Sequence, residues 1–504
     1  MNAGNYKTFG NDGEYLISEN TSVDKSRLEI IDEYIRRILD HPHIIHWTCL
    51  FLLALTLWGI MYSEVQSFVP GTQLFGMFTL FLMAYVAGEV TRLIRLPPLL
   101  GMLIVGLVLR NTGFVQFTGK FNRVAAILRH MALFIILTRA GLGLDPKALK
   151  SLSFIIMRLA FCPALVEGFT TMFFTHYFLD LPWMWGGVLG AILAAVSPAV
   201  VIPCLFALQE KGYGTDKGIP TLVIAAASLD DILSISIYGV MISMIFSPGS
   251  DLIMQAVRGP LGVLFGIIFG IVWGVILHYV PHKDHRKLIL FRALLLAGGG
   301  LMVMYGSDKI GYPGAGPLGC IIAPLVASLG WKHDGWTHGT NPVAKVYSSI
   351  WVVFQPILFG LIGAEVDATV LEGRTVCYGV LSLALSLLAR IVLSVVIAYG
   401  GGLNWKEKIF VAWAWFPKAT VQAALGPIPL DKARENGNDE ELAHAQKILI
   451  LAVLAILITA PLGAVLITIL GPKLLTRTVD NEMKHINKND TEMKTESERD
   501  LNEF

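Results

Sequence analysis

The chain has 504 residues, of which 54% are hydrophobic and only 15% are charged. Soluble proteins carry about 25% charged residues, so this composition argues against a soluble enzyme and against a disordered chain. The 39 basic and 38 acidic side chains leave a formal net charge of +1, which gives no support for a nucleic-acid partner. The cysteines form no CxxC or Cys/His cluster, so we predict neither a disulfide framework nor a cysteine metal site.

The two ends of the chain are polar. Residues 1–43 show no basic segment leading into an apolar run, so we predict no signal peptide and a cytoplasmic N-terminal segment. Within it, helical spacing predicts an amphipathic helix on the membrane or on a partner, with apolar positions at Leu28, Ile31, Ile35 and Ile38. Residues 472–504 are predicted to form a charged cytoplasmic tail.

Between these ends, residues 44–471 form a series of apolar segments, each about 20 residues or longer and so able to cross a bilayer. We therefore predict an all-α polytopic membrane protein with about 14 transmembrane helices. The segments are 44–63, 75–94, 97–114, 123–144, 151–179, 183–208, 218–246, 259–281, 287–306, 312–330, 343–365, 375–399, 406–428 and 447–471. An even number places both termini on one side, and the excess of Lys and Arg on that side predicts that both are cytoplasmic.

The segments repeat with an offset of seven. Segments 123–144 and 343–365 both end in a Gly-containing stretch that stops at an acid, Asp145 and Asp367 respectively. Each is followed by a segment with one central charge and then by a segment broken by proline. Because seven is odd, matching helices run in opposite directions, which predicts an inverted-topology repeat with two broken, crossing helices.

Five charged side chains lie near the middle of these segments, where a charge costs at least ~2.5–3.5 kcal/mol. They are Glu167, Asp230, Asp231, Arg390 and Lys418. Glu167 and Arg390 occupy corresponding places in the two halves, so we predict a buried structural ion pair, and reversing both charges should recover part of the lost stability. Two adjacent carboxylates cannot both ionise cheaply in a low-dielectric site, so Asp230 and Asp231 are predicted to bind a cation or a proton competitively. The alternative is an acidic pair neutralised structurally by Lys or Arg.

Prolines interrupt segment 183–208 at Pro198 and Pro203. A proline inside a helix frees the carbonyl four residues earlier, and such carbonyls suit a Na⁺-sized cation. We predict that this break joins the acidic pair in binding Na⁺, through Ala194, Ala195, Val196 and Ser197. The alternative is a kink without a ligand.

The matching segment 406–428 is interrupted at Pro417, with Lys418 beside the break. Crossing broken helices leave opposed helix ends with partial charges. Lys418 is predicted to compensate such charges, and a purely structural counter-charge is the equally weighted alternative.

At these residues the sequence resembles the monovalent cation/proton antiporter superfamily, and most closely the animal sodium/hydrogen exchanger 9B group (NHA type). The resemblance runs over about 44–471 and rests on the Asp230-Asp231 pair and on the broken segments at Ser197-Pro198 and Phe416-Pro417-Lys418. It implies that Asp231 is the main cation and proton carrier and that Asp230 is accessory.

The resemblance also implies a core of about 123–246 and 375–471 that moves against dimerisation helices at about 75–114 and 259–330. Relatives with an acidic pair often pair its first acid with a lysine where this chain has Arg390. We therefore expect Arg390 to pair with Glu167 and leave Asp230 free or near Lys418.

The function predicted in this way is secondary active transport, not enzymatic catalysis. Na⁺ or Li⁺ would exchange for H⁺ by alternating access, without a cofactor, in a multi-pass homodimer of the plasma, endosomal, lysosomal or mitochondrial membrane. A Na⁺-coupled organic-anion symporter of similar fold is the alternative, although few polar groups are available for an organic substrate. An intramembrane aspartyl protease needs its two acids on different helices, and a passive channel leaves the acidic pair unexplained.

Overall fold

The computed structural model describes residues 42–64, 68–144, 154–246, 252–336, 340–370 and 372–477. The predicted N-terminal amphipathic helix, Asp145 and most of the charged tail lie outside these ranges. Within them the chain is helical, as predicted, apart from short connections and one isolated β-bridge between Tyr213 and Arg477.

The chain divides after Phe75 into two compact units. The described part of the first contains α1 (Pro42–Glu64). The remaining helices are α2 (Gln73–Leu93), α3 (Pro98–Asn111), α4 (Lys120–Gly143), α5 (Phe154–Leu179), α6 (Trp183–Ala194), α7 (Pro198–Glu210), α8 (Ile219–Phe246), α9 (Leu252–Tyr279), α10 (Leu288–Lys309), α11 (Ala315–Trp331), α12 (Pro342–Glu365), α13 (Gly373–Ile397), α14 (Trp405–Ala414), α15 (Thr420–Leu425), α16 (Ile428–Asn436) and α17 (Asp439–Leu474).

Each predicted membrane segment coincides with a helix or, at the two proline breaks, with a pair of helices. Ten helical stretches among the described residues are long and apolar enough to cross a membrane, and α6 and α7 together make one of them. The number of fourteen spans stays a prediction, since shorter apolar helices such as α3 fall below the length that a full crossing requires.

The first break separates α6 from α7. Ala195 and Ser197 adopt extended backbone angles, and Pro198 is the first residue of α7, where its missing N–H removes no helical hydrogen bond. Pro203, in contrast, lies inside α7, which continues through it. The prediction that Pro203 breaks the helix is therefore wrong, because one lost hydrogen bond is tolerated within an otherwise intact helix.

The second break separates α14 from α15, and it crosses the first. Residues 415–419 are not helical. The backbone N–H of Ser197 donates to the carbonyl of Pro417 at 2.9 Å. This hydrogen bond joins the two halves of the repeat at the crossing point, as the predicted inverted topology requires.

Close helix contacts hold the crossing in place. A Cβ on Gly190 of α6 would lie 2.3 Å from the carbonyl oxygen of Gly168 on α5, so only glycine allows these helices to approach this closely. A Cβ on Gly463 of α17 would lie 2.3 Å from the Pro417 ring. Helix α5 also packs along α13, whereas α4 packs against α11 and α12.

Candidate cation-binding site at the crossing of the broken helices

Side chains of the second half satisfy the carbonyls of the first break. The Gln422 Nε2 amide on α15 donates to Ile192 at 2.7 Å and to Ala195 at 2.9 Å, and Arg390 donates to Ala194. Because unpaired carbonyls at membrane depth cost several kcal/mol, on the order of a full hydrogen bond, these donors stabilise the break. The carbonyls of Ala194 and Ala195 each accept a hydrogen bond already, so they are not the unpaired groups that the sequence suggested, and their use by a cation stays a prediction.

The other two residues of the break, Val196 and Ser197, present different chemical groups. The backbone N–H of Val196 donates to Asp230 Oδ2 at 3.2 Å, so this residue presents a hydrogen-bond donor to the acidic pair. The Ser197 hydroxyl lies 3.4 Å from the hydroxyl of Thr420 at the start of α15. Of these two residues, only Ser197 has a side-chain oxygen that could bind a cation.

A buried ionic cluster links three helices beside the crossing. Arg390 on α13 contacts Glu167 on α5, which is the predicted ion pair, and its Nη2 also donates to Asp230 Oδ2 at 2.8 Å. Lys418 Nζ donates to Glu167 Oε2 at 2.7 Å. The four side chains are fully buried.

This cluster corrects two expectations. Asp230 is not free, because Arg390 is long enough and carries enough donors to reach both acids at once. Lys418 contacts Glu167 rather than either member of the acidic pair. The formal charges of the two acids and two bases cancel, so the cluster is neutral as a unit.

Asp231 stands apart from this neutral cluster. Its side chain is 6% exposed, whereas that of Asp230 is 0% exposed. Asp231 has no ion pair among the described residues, and its buried Oδ1 has no hydrogen-bond partner there. Of the five membrane charges identified in the sequence, it is the one whose charge no contacting side chain balances.

Sequence reasoning gave no role to Gln422 and Thr459, although both complete the site. The Thr459 hydroxyl of α17 accepts a hydrogen bond from the Lys418 backbone N–H at 2.9 Å. This bond pairs one backbone donor of the second break. A signal for Gln422 was present, since it is an uncharged amide inside an apolar segment next to a helix break. Thr459 had no comparable signal, because isolated threonines are common in membrane helices.

Comparison with known proteins identifies the family. Residues 45–474 match the family model described as "Sodium/hydrogen exchanger, transmembrane". The chain belongs to this family. The family resemblance predicted from the sequence is confirmed.

The chain is also similar to individual members of that family. It is 42% identical to the sodium/hydrogen exchanger 9B1 of Homo sapiens over 438 residues, which cover 86% of this chain and 83% of that protein. It is 41% identical to the human exchanger 9B2 over 450 residues, covering 88% and 81% respectively. The similarity to the 9B group therefore extends well beyond the residues of the site.

Among solved structures, the sodium proton antiporter MjNhaP1 from Methanocaldococcus jannaschii at pH 8 superposes with a TM-score of 0.62. The match covers 84% of this chain and 99% of that chain at 19% sequence identity. At this identity the likeness concerns the fold alone, and it confirms the predicted sodium/proton antiporter fold.

Proposed function

We propose that this protein is a secondary active transporter that exchanges Na⁺ for H⁺ by alternating access, with Asp231 as the side chain that carries either ion. Family membership and the two human relatives named as sodium/hydrogen exchangers support the transported ions. The observation that carries the assignment to Asp231 is that this buried carboxylate makes no ion pair with any residue that the structure describes.

The charge distribution explains why such a site exchanges rather than leaks. When ionised and empty, Asp231 is an uncompensated charge inside the membrane, which is costly to move. A bound proton or a bound Na⁺ removes that charge. Only the two loaded forms therefore cross at low cost, so the passage of one ion in one direction requires the passage of the other in return.

The same charges support exchange of one Na⁺ for one H⁺. Glu167, Arg390, Lys418 and Asp230 form a neutral group whose charges stay paired, so Asp231 is the single site that changes its charge during the cycle. Each full cycle then moves no net charge across the membrane. Asp230 acts as the accessory acid by holding Arg390 and the Val196 N–H close to the break.

We further propose that the mobile core consists of about 154–246 and 373–474. The sequence-based boundary at residue 123 assigned α4 to this core, but α4 packs against α11 and α12, which favours placing it with the dimerisation helices. Homodimer formation, cytoplasmic termini and transport of Li⁺ are further parts of this proposal.

An organic-anion symporter of similar fold is not favoured. The relatives that match more than four-fifths of this chain are named as cation/proton exchangers. The donors that would bind an organic anion at the crossing, Arg390 and Gln422, are already occupied by protein acceptors. A transported anion would have to displace those acceptors.

The decisive experiment is Na⁺-driven collapse of a pH gradient in proteoliposomes. Asp231→Asn should abolish the Na⁺-dependent proton flux while the protein remains folded, because an amide neither releases a proton nor balances a cation. Asp230→Asn should retain part of the flux. Asp284→Asn is a matched control, since Asp284 lies in an exposed loop. Substantial Na⁺-driven flux through folded Asp231→Asn would show that another group carries the ion.

The stoichiometry has its own test. The same assay is repeated with a K⁺ diffusion potential imposed by valinomycin. One-for-one exchange predicts that the rate does not change when the sign of the potential is reversed. A rate that follows the potential would contradict the charge count and would point to a second titrating group in the buried cluster.

A further inference from the structure

Three polar residues follow one face of helix α8. Asp231, Ser234 and Tyr238 are spaced by three and four positions, which places them one above the other on a helix. All three are buried, and each carries a buried oxygen without a hydrogen-bond partner among the described residues: Asp231 Oδ1, Ser234 Oγ and the Tyr238 hydroxyl.

Another serine on the same helix behaves differently. The hydroxyl of Ser236 donates to the carbonyl of Ile232 at 2.7 Å, the usual way in which a serine in a helix satisfies itself. Ser234 makes no such bond. Buried polar atoms in proteins are nearly always paired with protein or with water, so unpaired oxygens in a row indicate a partner that is neither backbone nor side chain.

The row leads to a cavity. A cavity of about 870 Å³ lies between helices α4, α8, α10 and α16, and its wall includes Tyr238 and Ile242. Asp308, Asp431 and Lys432 also line it, so the cavity carries charged groups in its wall and is roomy enough for water. From Tyr238, Asp231 lies seven residues deeper along α8, or roughly 10 Å at the rise of an α-helix.

We propose that Ser234 and Tyr238 line a hydrated path by which the transported cation reaches Asp231 from this cavity. The Tyr238 hydroxyl is the first oxygen of the row beyond the cavity, and the Ser234 hydroxyl replaces part of the hydration shell one turn before the carboxylate. Both act as positioning residues. The identity of the ion rests on the proposed function, whereas the path rests on the geometry of α8 and of the cavity beside it.

The path is tested first by access, without any need for transport. Ser234→Cys and the control Ser236→Cys, at a less buried position whose exposure alone favours the opposite order of rates, are each placed in an Asp231→Asn background and exposed to Ag⁺, a small thiol-reactive monovalent cation. Thiols that remain free are labelled with N-ethylmaleimide after unfolding and counted by peptide mass spectrometry. We expect Ag⁺ to block position 234 at least tenfold faster than position 236. Equal rates at the two positions overturn the path.

The positioning role is tested by transport. Tyr238→Phe and Ser234→Ala remove one hydroxyl each, and we expect the KM for Na⁺ to rise at least threefold with a smaller change in the maximal rate. Tyr347→Phe and Ser236→Ala are matched controls, since Tyr347 and Ser236 both donate to backbone carbonyls and neither belongs to the row. An unchanged KM in both test variants overturns the role of the hydroxyls. If the wild-type protein shows no Na⁺/H⁺ exchange, the proposed function is rejected. The access test remains valid in that case, because it does not depend on transport.

Discussion

Glu167 binds two buried cations at once, so its loss should destabilise the protein more than the loss of one of those cations. The substitution Glu167→Gln removes the carboxylate that contacts both Arg390 and Lys418. Among the described residues, Asp230 then remains as the one carboxylate in contact with Arg390, and Lys418 has no acidic partner there. All four side chains are buried, so water does not take the place of the lost charge.

The size of the effect follows from the number of contacts that are broken. Removing one partner of a buried ion pair costs about 3–5 kcal/mol, because an uncompensated charge is left inside. Glu167→Gln should reach the upper end of this range, since it breaks two pairs. The double variant Glu167→Gln/Lys418→Met leaves Arg390 paired with Asp230, and it should recover about 0.5–3 kcal/mol, the usual coupling between contacting residues.

Thermal unfolding of the purified protein in detergent checks this order of stability. All variants are heated at one scan rate, because irreversible unfolding makes the midpoint depend on the rate. We expect wild type to be most stable, then the double variant, then Glu167→Gln. A double variant no more stable than Glu167→Gln would refute the reasoning. The charge reversal Glu167→Arg/Arg390→Glu sets like charges beside Lys418 and Asp230, so the contacts of the cluster argue against the partial recovery expected from the sequence, and the same measurement decides between the two expectations.

Three further substitutions test the two breaks and the unbroken helix at Pro203. Gly463→Ala should lower the unfolding temperature, because its Cβ would lie 2.3 Å from the Pro417 ring, whereas the control Gly298→Ala, whose Cβ would meet no described atom within 4 Å apart from its own helix, should not lower it. Gln422→Leu should cost about 1–3 kcal/mol by leaving two carbonyls unpaired, and unchanged thermal stability would contradict this. Pro203→Ala should stabilise α7 by up to about 3 kcal/mol and retain exchange, and loss of Na⁺-driven proton flux would show that Pro203 has a functional role after all.

The sequence predicted the features that depend on single residue types. Apolar length located the helices, proline located the breaks at Pro198 and Pro417, and the cost of membrane charges selected the five ionisable residues. These signals are local, because each reflects a physical requirement that one side chain or one segment meets alone.

The partners of those residues could not be predicted in the same way. Arg390 contacts Asp230 as well as Glu167 because α13 packs along α5 beside the first break, and this arrangement is a property of tertiary packing. For the same reason the carbonyls near Ala194 looked free in the sequence, although donors more than 190 positions away satisfy them. Contacts between the two halves of a repeat leave no trace in local periodicity.

The hydrogen bonds from Gln422 to the first break bear on how the protein is made. Gln422 and Ala195 are 227 positions apart, and a ribosome adds about 5–20 residues per second. About 11 to 45 s therefore pass between the synthesis of the first break and the synthesis of this donor. During that time its carbonyls need other partners, since the bilayer supplies none. The first broken helix should thus remain beside the insertion machinery or in contact with water, and a chain that stops before α15 should be recognised by quality control as incompletely folded.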